Sequence, residues 1–174
     1  ELIHSLMDHI SKNGNFLLNI CPMADGTFPE NQKELLRKVG AWLRRNGEAV
    51  YGTRAWNVYG EGPTQMGSDH FSDMIAGTAE DIRFTRNKEN TVLYATILGW
   101  PENGQVKIKS LGGDKVSLDD LMQAVLLVDE NIQGVLLNYV QEKEELIIQL
   151  PKQKPIEQEA YVIKLDFKER IPKS

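Results

Sequence analysis

Asn13-Gly14-Asn15-Phe16-Leu17-Leu18-Asn19-Ile20-Cys21-Pro22-Met23-Ala24-Asp25-Gly26-Thr27-Phe28-Pro29 is the stretch whose reading decides the fold. A short apolar run, Phe16 to Cys21, is framed by Asn13-Gly14 on one side and by Pro22, Asp25-Gly26 and Pro29 on the other. Helices generally need ten or more residues and strands about four to eight, so the run reads as a strand. Because it is continuously apolar, it predicts burial on both faces, as in a parallel sheet covered by helices.

Both flanks predict helices. Leu2, Ile3, Leu6, Met7 and Ile10 fall at helical spacing and form one apolar stripe. Lys12-Asn13-Gly14 then supplies a basic last turn and residues that tolerate a left-handed cap. On the far side, Thr27 and Glu30 predict a capping box, with Pro29 in the first turn, where its missing N–H costs nothing. Leu35, Leu36, Val39, Trp42 and Leu43 predict the buried stripe of a second helix, closed by Arg44-Arg45-Asn46-Gly47. The expectation is a helix–strand–loop–helix segment.

From Asn57 to Glu80, Gly and Pro are frequent and no period fits, which predicts a long connection and a domain boundary. Strand signals follow it. Ile82 to Arg86, Thr91 to Leu98 and Val106 to Ile108 are separated by turns at Asn87 to Asn90 and Pro101 to Gly104. Val125 to Val128, Leu136 to Val140, Leu146 to Leu150 and Tyr161 to Phe167 complete a series of short strands, which predicts an antiparallel β-sandwich. Leu118 to Val128 also fits a helix, and both readings stay open. The predicted division is residues 1–57 for an α/β portion and 58–174 for the connection and an all-β domain.

The chain has 174 residues, 41% of them hydrophobic and 26% charged, enough for a proper core. A net charge of -5, with no long block of Lys and Arg, argues against a nucleic-acid surface. No apolar stretch approaches the roughly 18–20 residues that span a bilayer. The single cysteine, Cys21, excludes a disulfide within the chain. Glu1 already lies inside an amphipathic pattern without an initiator Met or signal peptide, so a longer parent chain is expected.

Few residues suggest chemistry. His4 and His9 are five apart and do not share a helix face, so no metal site is expected there. His70 reads as a solvated loop residue and Cys21 as a small buried hydrophobe. Asp25 lies in the loop after the predicted strand, where Asp-Gly is first a turn signal. Trp56 and Trp100 could stack on a sugar, whereas Trp42 falls on the buried helix stripe.

Several motifs in one order carry a resemblance. Ser11 to Ile20, Pro22, Ala24 to Thr27, Asn46 to Arg54, Tyr59 to Thr64, Asp81 to Thr85 and Ala95 to Pro101 resemble the α-L-fucosidases of glycoside hydrolase family 29. Cys21 departs from the family, which usually has Gly there. The resemblance implies the last helix–strand–helix of a (β/α)8-like barrel followed by an antiparallel β-sandwich. It implies a retaining mechanism without metal or organic cofactor, in which both catalytic carboxylates lie upstream of Glu1. Phe16 resembles an aromatic that packs against the sugar, and Asn19 lies nearer the functional face; these are the two expected substrate-binding residues. The expected partners are a fucosylated glycan and the rest of the barrel. A periplasmic or secreted bacterial location is expected ahead of a cytoplasmic one. The alternative is a standalone β-sandwich that binds carbohydrate or a protein partner without hydrolysis.

Overall fold

The computed structural model describes residues 1–65, 75–128 and 134–173. Two helices, α1 (Leu2–Ser11) and α2 (Glu30–Asn46), precede eight strands. The strands are β1 (Arg54–Glu61), β2 (Ile82–Arg86), β3 (Val92–Ile97), β4 (Gln105–Ile108), β5 (Leu121–Leu126), β6 (Val135–Gln141), β7 (Leu146–Gln149) and β8 (Tyr161–Phe167). They form one antiparallel sheet in the order β1-β2-β3-β8-β5-β6-β7-β4.

The sheet curls around its own core. Trp56, Phe84, Leu93, Ile108, Leu126, Leu137, Ile148 and Ile163, from all eight strands, belong to one cluster of buried side chains. Curling brings the two end strands together. At the end of β1, the Glu61 carboxylate accepts from the backbone N–H of Lys109 (2.8 Å) and Ser110 (2.7 Å), just past β4. The result is a nearly closed, barrel-like sheet.

Strands β3 and β8 are buried on both faces. Leu93, Ala95 and Ile97 point into the curl with Ile163 and Leu165, while Tyr94 and Val162 point outward to a second cluster with Ile3, Met7 and Trp42. Period-two alternation therefore feeds two cores from one strand pair, and the outer core is roofed by the helices. Trp42 is fully buried there, and its indole N–H donates to the carbonyl of Ala160 at 2.9 Å.

Beside this apolar contact lies a polar one. His4, Ser5, Asp8 and Ser11 of α1 are buried, although the apolar stripe alone did not announce them. Arg83 of β2 donates from Nε to Asp8 Oδ1 at 2.7 Å, while its NH1 reaches the carbonyl of Ile82 at 3.0 Å. Asp8 Oδ2 accepts from Lys12 Nζ at 2.7 Å. Both cations stand over the ring of Tyr59, Lys12 at 5.0 Å and Arg83 at 5.8 Å. Each buried charge is thus paired, as it must be to leave water.

Several expectations change. Asn57 to Glu61 belong to β1, not to a connection, so a continuous strand runs across the expected division between residues 57 and 58. Leu118 to Val128 resolves as the strand β5, Leu121–Leu126. The predicted strand Phe16 to Cys21 does not form. Residues 14–23 take no regular secondary structure and pair with no strand among the described residues, and all of Leu17 to Cys21 is exposed. A strand needs neighbours to satisfy its N–H and C=O groups, and among the described residues none lies beside it. The capping box is also absent: Thr27 bonds Asp25 instead, and α2 begins at Glu30 with Pro29 as its N-cap.

Replacing Arg83 by Leu leaves Asp8 buried without its main partner, and is expected to cost about 3–5 kcal/mol in urea unfolding. A loss below about 1 kcal/mol, the scale of an exposed pair, would mean that the pair is solvated.

Candidate functional site

The exit of α1 sets the geometry of the stretch from Asn13 to Pro29. Asn13 adopts the left-handed conformation (φ 61°), and the N–H of Gly14 returns to the carbonyl of His9 at 2.8 Å, which is the cap that Lys12-Asn13-Gly14 predicts. The chain then runs without regular secondary structure to a turn in which the N–H of Met23 donates to the carbonyl of Thr27 (2.7 Å). Midway, the N–H of Cys21 donates to Gln32 Oε1 at 3.2 Å and ties the segment to α2.

Phe16 is half-buried, with its ring edge-on to the His9 imidazole at 5.3 Å and 63°. His9 is itself held by a 2.7 Å hydrogen bond between Nδ1 and the carbonyl of Ser5. Asn19, three residues on, is exposed. The structure therefore offers a braced aromatic ring and an amide along one segment. Such a pair can contact a sugar by apolar packing and hydrogen bonding but cannot transfer a proton or attack a carbon.

The other candidates find ordinary places. Asp25 is exposed and closes its own turn, accepting from the N–H (3.0 Å) and hydroxyl (2.7 Å) of Thr27. These bonds hold its carboxyl below the usual range, the backbone N–H first. Cys21 is exposed, not the buried hydrophobe expected, because no sheet covers the run that carries it. Trp56 packs edge-on to Phe84 in the inner core, and half-buried Trp100 packs against Tyr161. His70 lies outside the described residues. Among the described residues no group of three or more His, Cys, Asp or Glu side chains could hold a metal ion, and no helix is long and apolar enough to cross a membrane.

His4 is a structural residue. Its Nε2 faces the carbonyl of Glu159 at 2.8 Å and its Nδ1 accepts from the N–H of Gly77 at 3.0 Å. That arrangement requires the neutral ring protonated on Nε2. Burial lowers the pKa from its ordinary 6.5, outweighing the Glu159 carbonyl, which raises it. Nearby, burial pushes the Asp81 carboxyl up, but bonds from the N–H and hydroxyl groups of Thr78 and Thr64 outweigh it and hold the carboxyl below its ordinary value. Gly62, at φ 121°, lies so close to Asp81 that a Cβ there would collide with it.

Three surface clefts, of about 990, 800 and 530 Å³, are lined by residues other than Phe16 and Asn19. Sequence reasoning missed the bracing of Phe16 by His9. The only available signal was that His9 occupies the last turn of α1, seven residues before Phe16.

With this geometry in place, the chain can be set beside known proteins. A family profile described as alpha-L-fucosidase matches residues 1–48, and one described as alpha-L-fucosidase C-terminal domain matches residues 76–166. The mouse (Mus musculus) tissue alpha-L-fucosidase is 33% identical over 144 residues, covering 81% of this chain and 28% of that protein. The rat (Rattus norvegicus) plasma alpha-L-fucosidase is 34% identical over 122 residues, covering 68% of this chain and 23% of that protein. Among solved structures, the Thermotoga maritima alpha-fucosidase in complex with fucose aligns with a TM-score of 0.69 at 28% identity, over 94% of this chain and 33% of that one. Alpha-L-fucosidase isoenzyme 1 from Paenibacillus thiaminolyticus aligns with a TM-score of 0.68 at 26% identity, over 97% and 34%. The chain thus spans about a quarter to a third of the length of these relatives.

The His4 geometry predicts a pH dependence. With its folded pKa depressed, the neutral ring's contribution is fully present above pH 6.5 and is lost as pH falls from there through the lower folded value. Urea midpoints between pH 7.5 and 5.5 are expected to fall more for the native chain than for His4→Gln; parallel curves would contradict it.

Proposed function

The chain belongs to the α-L-fucosidase family, and from this premise we propose that it is the C-terminal part of a retaining α-L-fucosidase. The whole enzyme hydrolyses terminal α-L-fucosides. Residues 1–57 supply the end of a (β/α)8-like barrel, whose last strand forms only beside the rest of the barrel. Residues 58–174 supply a β-sandwich whose body is the curled sheet, its first strand β1 starting just before the division, at Arg54.

The observation that carries this reading is the exposed apolar run that no sheet covers. Leu17 is 94% exposed, and Leu18, Ile20, Met23 and Leu35 are all exposed around it. So many exposed large apolar side chains on and near a backbone that no strand pairs with are a surface that another part of the protein covers. An upstream barrel would give residues 14–23 their neighbouring strand and would bury Leu17 and Leu35. The match of one family profile to residues 1–48 supports the same assignment.

In a retaining enzyme one carboxylate attacks the anomeric carbon while a second, about 5–5.5 Å away, protonates the leaving oxygen and then activates water. Both carboxylates lie upstream of Glu1 in this reading. The role left to the present chain is positioning. Phe16 packs on the sugar and Asn19 hydrogen-bonds at the rim, which aligns the ring for in-line attack. Fucosylated glycans are the substrate class.

The 174-residue chain alone is expected to release no fucose from an aryl α-L-fucoside above background, because nucleophile and proton donor are both missing. With the upstream region present, hydrolysis should proceed with net retention, and Phe16→Ala should raise KM about three- to tenfold, the scale of one lost aromatic contact. Enzyme-like turnover by the chain alone, or inversion by the longer protein, would overturn the reading.

A further inference from the structure

Away from the Phe16 segment, a cleft of about 800 Å³ opens between the C-terminal end of α2 and the outer faces of β5 and β8. Sites for small ligands commonly fall between about 300 and 1,000 Å³. We propose that this cleft is a second, non-catalytic site for a neutral oligosaccharide, with Tyr51 as its stacking platform.

Tyr51 is 67% exposed, yet its ring is braced. A Cβ added to Gly47 would sit 2.8 Å from Tyr51 Cε2 and 2.9 Å from Cδ2, so the ring rests on the backbone of the short 3-10 turn Gly47–Ala49. The backbone is fixed as well, since the N–H of Tyr51 donates to the carbonyl of Gly47 at 2.7 Å. A ring already held in place loses little freedom when a ligand stacks on it, which favours binding.

The facing wall alternates donors and acceptors. Gln123 Nε2 donates to Asp166 Oδ2 at 2.6 Å. Lys164 Nζ stands 3.4 Å from Glu48 Oε2 and 3.8 Å from Asp166 Oδ1. Sugar hydroxyls both donate and accept, so a row of carboxylate, ammonium, carboxylate and amide groups matches vicinal hydroxyls. Arg44 and Arg45 line the cleft too, so with Lys164, Glu48 and Asp166 its charges are of mixed sign, and the hydroxyls of a neutral ligand can pair with both kinds. Leu136, 71% exposed on the cleft wall, adds an apolar contact for a sugar's C–H or methyl groups. The site does not depend on the catalytic reading, since none of these residues belongs to the Phe16 segment.

The test titrates 2′-fucosyllactose, with lactose in parallel, into the full chain and follows amide NMR shifts. The expected result is saturable shifts at Gly47, Tyr51, Gln123 and Lys164. Tyr51→Ala should weaken binding about tenfold, while Tyr51→Phe and Phe16→Ala leave it intact. Gly47→Ala, which displaces the ring without removing it, should also weaken binding, and unchanged shifts elsewhere show that each variant is folded. Absence of saturation with either sugar, or loss of binding in Phe16→Ala but not in Tyr51→Ala, would overturn the proposal. So would a dimer that Tyr51→Ala dissociates, because a second copy would then occupy the cleft. Intact binding with no hydrolysis by the longer protein would leave this site standing and sink the catalytic reading alone.

Discussion

The guanidinium of Arg83 is where the helical and sheet parts of the molecule meet. It lies on the outward face of β2, buried, with Asp8 of α1 on its Nε and carbonyls of Ile82, Glu61 and Thr64 around its other nitrogens. Removing such a charge from water costs several kcal/mol unless every donor is met, so its partners are not free to move independently. One consequence is directional. With Asp8 fixed, the last turn of α1 is fixed, and with it the cap at Asn13 and the exit of the segment that carries Phe16 and Asn19. The apolar contacts of Met7, Trp42 and Tyr94 supply the larger burial, while the Arg83 ion pair and the two hydrogen bonds of His4 fix the register of α1.

The same arrangement divides the molecule into a self-sufficient part and a dependent one. Strands β3 and β8 have neighbours on both edges and cores on both faces. Among the described residues, 14–23 have neither, although the run Phe16 to Cys21 has five apolar residues in six, against five in seven in β8. Composition reports what a segment needs, and the fold decides whether it is provided. Here the need is left visible as exposed Leu17, Ile20 and Met23.

Much of the sheet was legible in the sequence because alternation and turns coincide there. Ile82–Arg86 and Tyr161–Phe167 appear as read, and the Asn87 and Pro101 turns fall between strands. β1 was not legible: Trp56 and Val58 do alternate with Asn57 and Tyr59, but Gly60, Gly62 and Pro63 give the stretch the composition of a loop. A register irregularity between Ala55 and Gly60 is the structural counterpart of that signal. The capping box failed for a local reason, since Asp25 competes for the Thr27 groups. Phe16 and Asn19 stand as proposed contacts that came from the family resemblance and from their place on the run, and the brace on Phe16 was not legible at all. That contact depends on how the helix ends, and the buried face of α1 is half polar, which a stripe of apolar residues cannot reveal.

Amide hydrogen exchange on the chain tests this division most directly. Near-unprotected exchange across Leu17 to Ile20, together with strong protection throughout β3 and β8, is the expected pattern. With the proposed upstream barrel present, exchange in Leu17 to Ile20 should then slow by orders of magnitude, as a neighbouring strand pairs with them. Strong protection of Leu17 to Ile20 in the chain alone would contradict it, because these residues would then already have a neighbouring strand.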